Sequence, residues 1–268
     1  MLTIRPIPAF SDNYIWILTD SDAPRGARAQ SSSLAVVVDP GDAEPVIAHL
    51  QAESRTLGAI LITHHHGDHI GGVAELRAAF PAAQVFGPVD PRIRGITHPV
   101  RDGERFRPHG IGMAMRVMAV PGHTSTHIAY LGDGVLFCGD TLFAGGCGRV
   151  FDGTFEQLSD SLDRIAALPA DTLIYCAHEY TLANLGFARW VEPQHEPLRA
   201  RLEADGARDD AGEPTVPSRL ELERATNPFL RTRVPAVIAA AEQFAERPLT
   251  TPREVFKALR QWKDTLYD

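Results

Sequence analysis

With 268 residues, 44% of them hydrophobic and 22% charged, the chain has the material for one large soluble domain or for a core domain plus a smaller one. Its net charge of −8 argues against nucleic acid as the main partner, because phosphate binding needs a basic surface. No stretch reaches the roughly 18 apolar residues of a membrane span, and the start lacks the basic, apolar and small-residue segments of a signal peptide.

The first two-thirds reads as short apolar strands alternating with helices. Strand-like segments are 13–18 and 34–41, the second ended by Pro40-Gly41, with a polar stretch between them (19–33) that reads as a mobile loop. A helix over 43–53, a buried strand over 58–63 and a helix over 71–80 follow. Further strands are expected at 83–87, 114–120, 127–131 and 134–139, then a helix at 154–168 and a strand at 172–179. Beyond about residue 179 the chain turns helix-forming, with proline-marked breaks at 193, 197, 214, 217, 228 and 252. This pattern predicts an α/β core with an appended helical domain. Cys138, Cys147 and Cys176 are odd in number and lack C-x-x-C spacing, which fits free buried thiols in a reducing cytoplasm.

One stretch stands apart. "ITHHHGDHIGG" (62–72) places His64, His66, Asp68 and His69 directly after an apolar strand. Alternate side chains of an extended segment share a face, so His64 and His66 can converge on one point. Asp68 and His69 fall where the chain turns and can face a second point, while His65 points away. Imidazole and carboxylate ligate zinc, iron or manganese. A solvated histidine-rich loop is the plain alternative, and it explains a single His better than it explains H-x-H-x-D-H. His123 in "VPGHTSTH", Asp140 in "FCGDTLF" and His178 in "YCAHEY" follow other strands. Together they complete the ligands for two adjacent metals.

These motifs, T-H-x-H-x-D-H, G-H-T, G-D-T and a strand-end His, resemble the metallo-β-lactamase superfamily. The longer segments "SDNYIWIL", "VVDPGDAEPV", "GDTLFAGGCGR", "CAHEYTLANLGFA" and "EPTVPSRLELERATNPFLR" resemble the glyoxalase II (hydroxyacylglutathione hydrolase) family over essentially the whole chain. The resemblance implies an αββα sandwich over residues 1–178 and a helical glutathione-binding domain over 179–268. It implies that His64, His66 and His123 bind one divalent metal and Asp68, His69 and His178 the other. Asp140 bridges the two, and Asp68 and Asp140 count as catalytic. Zinc is the first expectation, ahead of iron or manganese. Asp39 is the expected orienting partner of a ligand, with a plain strand-end Asp-Pro-Gly turn as the alternative. A water shared by two metals about 3.5–4 Å apart has its pKa lowered toward ~7. The hydroxide would cleave S-D-lactoylglutathione, or a related 2-hydroxyacyl thioester, to D-lactate and glutathione in methylglyoxal detoxification. A cytoplasmic monomer is expected.

The C-terminal helix opens on Thr251, Pro252 and Glu254, a capping-box signature. Lys257, Arg260 and Lys263 recur every three residues on one face. By spacing alone this is a solvated basic stripe. The family's R-x-x-K pair assigns Arg260 and Lys263 to the glutathione carboxylates, as charges that added salt would screen. Arg149 and Tyr180 match further substrate contacts. Phe151 stands where many relatives have tyrosine, which removes one hydroxyl from the substrate site. Three rival readings are a persulfide dioxygenase with a single two-His, one-Asp metal, another hydrolase of the superfamily such as a lactonase, and a non-catalytic metal-binding module. The second ligand set and the long helical domain stand against the first. The last would normally close its coordination with protein ligands.

Overall fold

The computed structural model describes residues 2–20 and 33–267. The chain forms two compact units, one of residues 1–119 with 126–139, the other of residues 120–125 with 140–268. The polar stretch expected to be a mobile loop lies for the most part outside the described residues, its first two residues closing a strand.

In the first unit, β1 (Leu2–Ala9), β2 (Asn13–Asp20), β3 (Leu34–Val38), β4 (Thr56–Leu61), β5 (Gln84–Pro88) and β6 (His98–Val100) form one sheet in that order. β1/β2 and β2/β3 are antiparallel, and the pairs from β3 to β6 are parallel. The helices α1 (Glu44–Ala52), α2 (Gly67–Ile70) and α3 (Val73–Ala79) connect the parallel strands. Ile15, Ile17, Ala35, Val37, Ile60 and Ile62 point to the face that buries Val46 and Leu50 of α1 and Val73 and Leu76 of α3. The intervening residues Trp16, Leu18, Val36, Val38, Ala59 and Leu61 are buried as well. Burial on both faces is why these strands read as continuous apolar runs rather than alternating ones.

A second, antiparallel run within the same unit joins β7 (Arg105–Phe106), β8 (Met115–Ala119), β9 (Ile128–Leu131) and β10 (Val135–Gly139). It faces the first sheet: Phe106 stacks on Phe86 with ring centroids 4.2 Å apart, and Tyr130 donates to the Ile62 carbonyl at 2.7 Å. Burial, then the nearby Asp39 carboxylate, push the Tyr130 phenol well above its ordinary pKa, so it acts here as a neutral donor.

The second unit contains β11 (Leu142–Phe143) paired with β12 (Gly146–Cys147), α4 (Phe155–Ala166), and β13 (Leu173–Cys176) paired with β14 (Ser218–Arg219). Its other helices are α5 (Thr181–Val191), α6 (Glu196–Asp210), α7 (Leu220–Thr226), α8 (Pro235–Ala245) and α9 (Pro252–Trp262). The prolines at 197, 228 and 252 sit in the first turns of helical segments, where a missing N–H costs nothing. Thr251 and Glu254 form the expected capping box. No described helix is long and apolar enough to cross a membrane. All three cysteines are buried, and burial raises Cys147 to about 11 and Cys176 to about 12. Neither is a thiolate nucleophile at neutral pH.

Strand β1 was not anticipated. Pro6 and Pro8 demote the segment as a strand by pattern, but β1 is an edge strand, where a missing N–H is tolerated.

Candidate metal centre

The parallel pair β3/β4 ends in register, Val38 opposite Leu61, so the residues just beyond both strands emerge together. Asp39 leaves β3 and Thr63–His64 leave β4. Carboxyl ends of parallel strands are where open α/β sheets place their ligands.

The hydrogen bonds there set proton positions. Asp39 accepts from the Thr63 N–H at 2.7 Å, from the Thr63 hydroxyl at 2.7 Å and from His69 Nδ1 at 3.0 Å. The one proton of the Thr63 hydroxyl goes to Asp39, so its 3.0 Å contact with His64 Nδ1 requires that nitrogen to donate. Both His64 and His69 are therefore held with Nε2 as the lone-pair nitrogen. His64 Nε2 lies 3.1 Å from His66 Nδ1, and His69 Nε2 lies 3.3 Å from an Asp68 oxygen. Asn13 donates to that same Asp68 oxygen at 3.0 Å. His64 and His69 are fully buried. Asp39 thus contacts His69 directly and reaches His64 through Thr63. It holds φ at +52°, a left-handed conformation that Asp tolerates better than most residues.

The second unit carries its own donor cluster. His123 donates from Nδ1 to the Arg149 carbonyl at 2.8 Å, which leaves Nε2 as the lone-pair atom, 3.5 Å from Asp140 Oδ2. His178 Nε2 lies 3.4 Å from the other Asp140 oxygen. One carboxylate therefore faces two imidazoles with two different oxygens, and all three residues are buried. Phe151 sets an edge against the His123 ring at 5.2 Å and is 64% exposed. Tyr180 stacks on His178 at 4.7 Å.

The donor chemistry fits a divalent cation. His69 with Asp68, and His123 with Asp140, set a lone-pair nitrogen against a carboxylate oxygen at 3.3–3.5 Å, an approach that a positive charge between them makes favourable. His65 is turned away, as its position in the motif predicts: its Nδ1 is 3.8 Å from Asp90. Bonds from Arg92, ahead of the opposing effect of burial, hold the Asp90 carboxyl far below its ordinary pKa.

The C-terminal basic face requires a correction. Arg260 is 1% exposed and Lys263 6%, so neither belongs to a solvated stripe that salt would screen; only Lys257 is exposed. Arg260 donates to the Cys147 carbonyl at 2.9 Å and to Asp264 at 2.9 Å, while Lys263 lies over the Tyr267 ring. Spacing placed the three on one face without saying that part of that face is turned inward. Arg149 is half exposed, with Nε 3.7 Å from Asp264.

Several residues of the site were not read from the sequence. Asn13 and Thr63 lay inside recognised segments without an assigned role. His127, buried and stacked on His64 at 4.5 Å, carried no signal beyond its place in the G-H-T segment.

A sequence profile described as the metallo-beta-lactamase superfamily matches residues 30–178, and one described as the hydroxyacylglutathione hydrolase C-terminus matches residues 179–266. A hydroxyacylglutathione hydrolase of Alkalilimnicola ehrlichii is 54% identical over 98% of this chain and 99% of its own length. One from Xanthomonas euvesicatoria is 49% identical over 96% of each chain. The crystal structure of ETHE1 from Myxococcus xanthus is similar with a TM-score of 0.65 at 25% identity, covering 96% of this chain and 89% of that one.

Proposed function

Because this chain belongs to the hydroxyacylglutathione hydrolase (glyoxalase II) family of the metallo-β-lactamase superfamily, we propose that its two His/Asp clusters serve a binuclear metal centre acting on S-D-lactoylglutathione. The chain is a thioester hydrolase of metallo-β-lactamase fold with a helical C-terminal domain. Near 50% identity over the whole length favours this over a persulfide dioxygenase or a non-catalytic module.

His64, His66 and His123 would hold one cation and Asp68, His69 and His178 the other, with Asp140 shared. Zinc, iron and manganese all suit these donors. When bound, two such cations acidify water to a nucleophile at neutral pH and polarise the thioester carbonyl. The chain's own contribution is orientation. Asp39, Thr63 and the Arg149 carbonyl fix the tautomers of His64, His69 and His123, so each presents a lone pair and none has to reorganise. The observation that carries the reading is the Asp140 carboxylate, buried with one oxygen toward each of two imidazoles.

The catalytic role is assigned to residues 1–178 and glutathione recognition to 179–268, with Arg149 and Phe151 at the edge of the first. Arg260 and Lys263 are assigned to the glutathione carboxylates, and Tyr180, beside His178, to the peptide. The protein is taken to act as a cytoplasmic monomer on this small thioester, with no membrane or nucleic acid involved. The test is direct: purified protein with S-D-lactoylglutathione, following thioester loss and thiol release. No turnover by metal-loaded protein would overturn the assignment.

Asp39→Asn should weaken metal retention by roughly 10- to 100-fold, the usual cost of losing an outer partner of a ligand. The amide turns one N–H₂ toward donors that the carboxylate now accepts from. Chelator competition measures it, and wild-type retention would remove Asp39 from the site.

Phe151→Tyr should lower KM for the glutathione thioester by about 2- to 12-fold, one net hydrogen bond of about 0.5–1.5 kcal/mol. The exposed ring has room for the added hydroxyl. A simple thioester without glutathione should gain nothing. Equal gain for both substrates would make the effect structural.

A further inference from the structure

We propose that Asn184, Glu223 and Asn227 clamp the tip of the β11–β12 hairpin and so position Asp140 against His123, an inference that rests on the metal reading above. The hairpin starts just after Asp140 and ends just before Arg149, whose carbonyl orients His123. Whatever tilts this ribbon moves the carboxylate and the carbonyl together.

The polar backbone groups of the tip are met by side chains. Asn227 donates to the Phe143 carbonyl at 3.3 Å and to that of Gly146 at 2.9 Å, and Asn184 donates to Ala144 at 3.1 Å. The Gly145 N–H donates to Glu223 at 2.8 Å. A free two-residue ribbon tip would leave such groups to water. The tip is also shaped to α5. Gly145 has φ +69°, and a Cβ there would lie 2.7 Å from Leu185, while a Cβ on Gly146 would lie 2.4 Å from the Asn184 amide carbon. That fit explains the paired glycines of "FAGGCG".

Glu223 is itself fixed, by Arg201 at 2.6 Å, Ser218 at 2.5 Å and Asn227 at 3.2 Å. All these side chains are buried. Buried ionic networks are weak sources of stability compared with apolar packing, and their better-attested use is to hold register. Here the register held is that of the ribbon. Phe143, at the clamped end, sets ring edges against His178 and Tyr180 at 5.8 and 5.3 Å, which ties the tip to the remaining imidazole of this cluster.

The test measures metal retention rather than turnover. Asn184→Ala and Asn227→Ala are compared with wild type by chelator competition, each well below its unfolding midpoint. The control is Val237→Ala, a buried apolar position on α8, outside the hairpin and the polar side chains that hold it, whose truncation should cost stability. The expected result is roughly 10- to 100-fold weaker retention in both Asn variants and wild-type retention in Val237→Ala. If Asn227→Ala does not fold, Asn184→Ala gives the same reading with a single carbonyl bond removed. Unchanged retention in the folded Asn variants, or equal losses in all three variants, would overturn the clamp while leaving the metal reading intact. Wild type that retains no metal would overturn both. Metal-loaded wild type inactive on lactoylglutathione would instead remove the substrate assignment and leave the clamp standing.

Discussion

Asp140→Ala is expected to abolish binuclear occupancy and to cut kcat/KM by roughly 10²- to 10³-fold or more, the scale of losing a preorganised electrostatic group. The reason is that one side chain does two jobs. Oδ2 faces His123 and Oδ1 faces His178, so truncation removes an anionic partner from both imidazoles at once. The histidines with Asp68 as the one remaining carboxylate would leave two divalent charges close together with less compensation. His65→Ala is the matched comparison, because His65 sits in the same motif yet faces Asp90. It should keep two metals per chain and most of the activity. Elemental analysis of both variants decides the matter. An Asp140→Ala protein with two metals and normal turnover would end the bridging assignment, and metal loss in His65→Ala would shift the register of the motif.

Glu223→Ala should cost about 3–5 kcal/mol of stability, the range for breaking a buried ion pair from one side. Arg201 is 1% exposed in its side chain and Glu223 not at all, so the guanidinium has no route to water when its partner goes. Asp205 remains 3.1 Å away, which places the loss toward the lower end. The Gly145 N–H and the Ser218 hydroxyl lose their acceptor too. At roughly 2–4 °C per kcal/mol for a chain of this size, the melting temperature should fall by about 6–20 °C. Glu223→Gln keeps the volume and part of the accepting capacity, so it should fall less. Calorimetry of the two variants is the check, and a shift under about 2 °C for Glu223→Ala would mean the network carries little of the fold's stability.

Much of this protein was legible in its sequence because the relevant signals are local. The runs 34–38 and 57–61 are apolar and buried on both faces, so strands there follow from composition alone, while their parallel pairing comes from the fold. Thr251, Pro252 and Glu254 mark a helix start because capping is decided within four residues. The spacing of His64, His66, Asp68 and His69 announces metal chemistry because those donors are neighbours in the chain. Short pairings such as β11 with β12 escaped, since two-residue strands have no period to read.

Tertiary structure decided what depends on partners far away in the chain. Asp39 could be a turn residue or an orienting carboxylate, and only the in-register ends of β3 and β4 bring it to Thr63 and His69. Lys257, Arg260 and Lys263 share one helical face by periodicity, but the Cys147 carbonyl, 113 positions from Arg260, determines that Arg260 is buried. The glycines at 145 and 146 look like any flexible turn until α5 is packed against them. Residue type and spacing thus determined which chemistry the chain carries. Packing alone determined which way each donor points and which proton it holds, because a tautomer depends on the hydrogen-bond partner that folding brings to the other ring nitrogen.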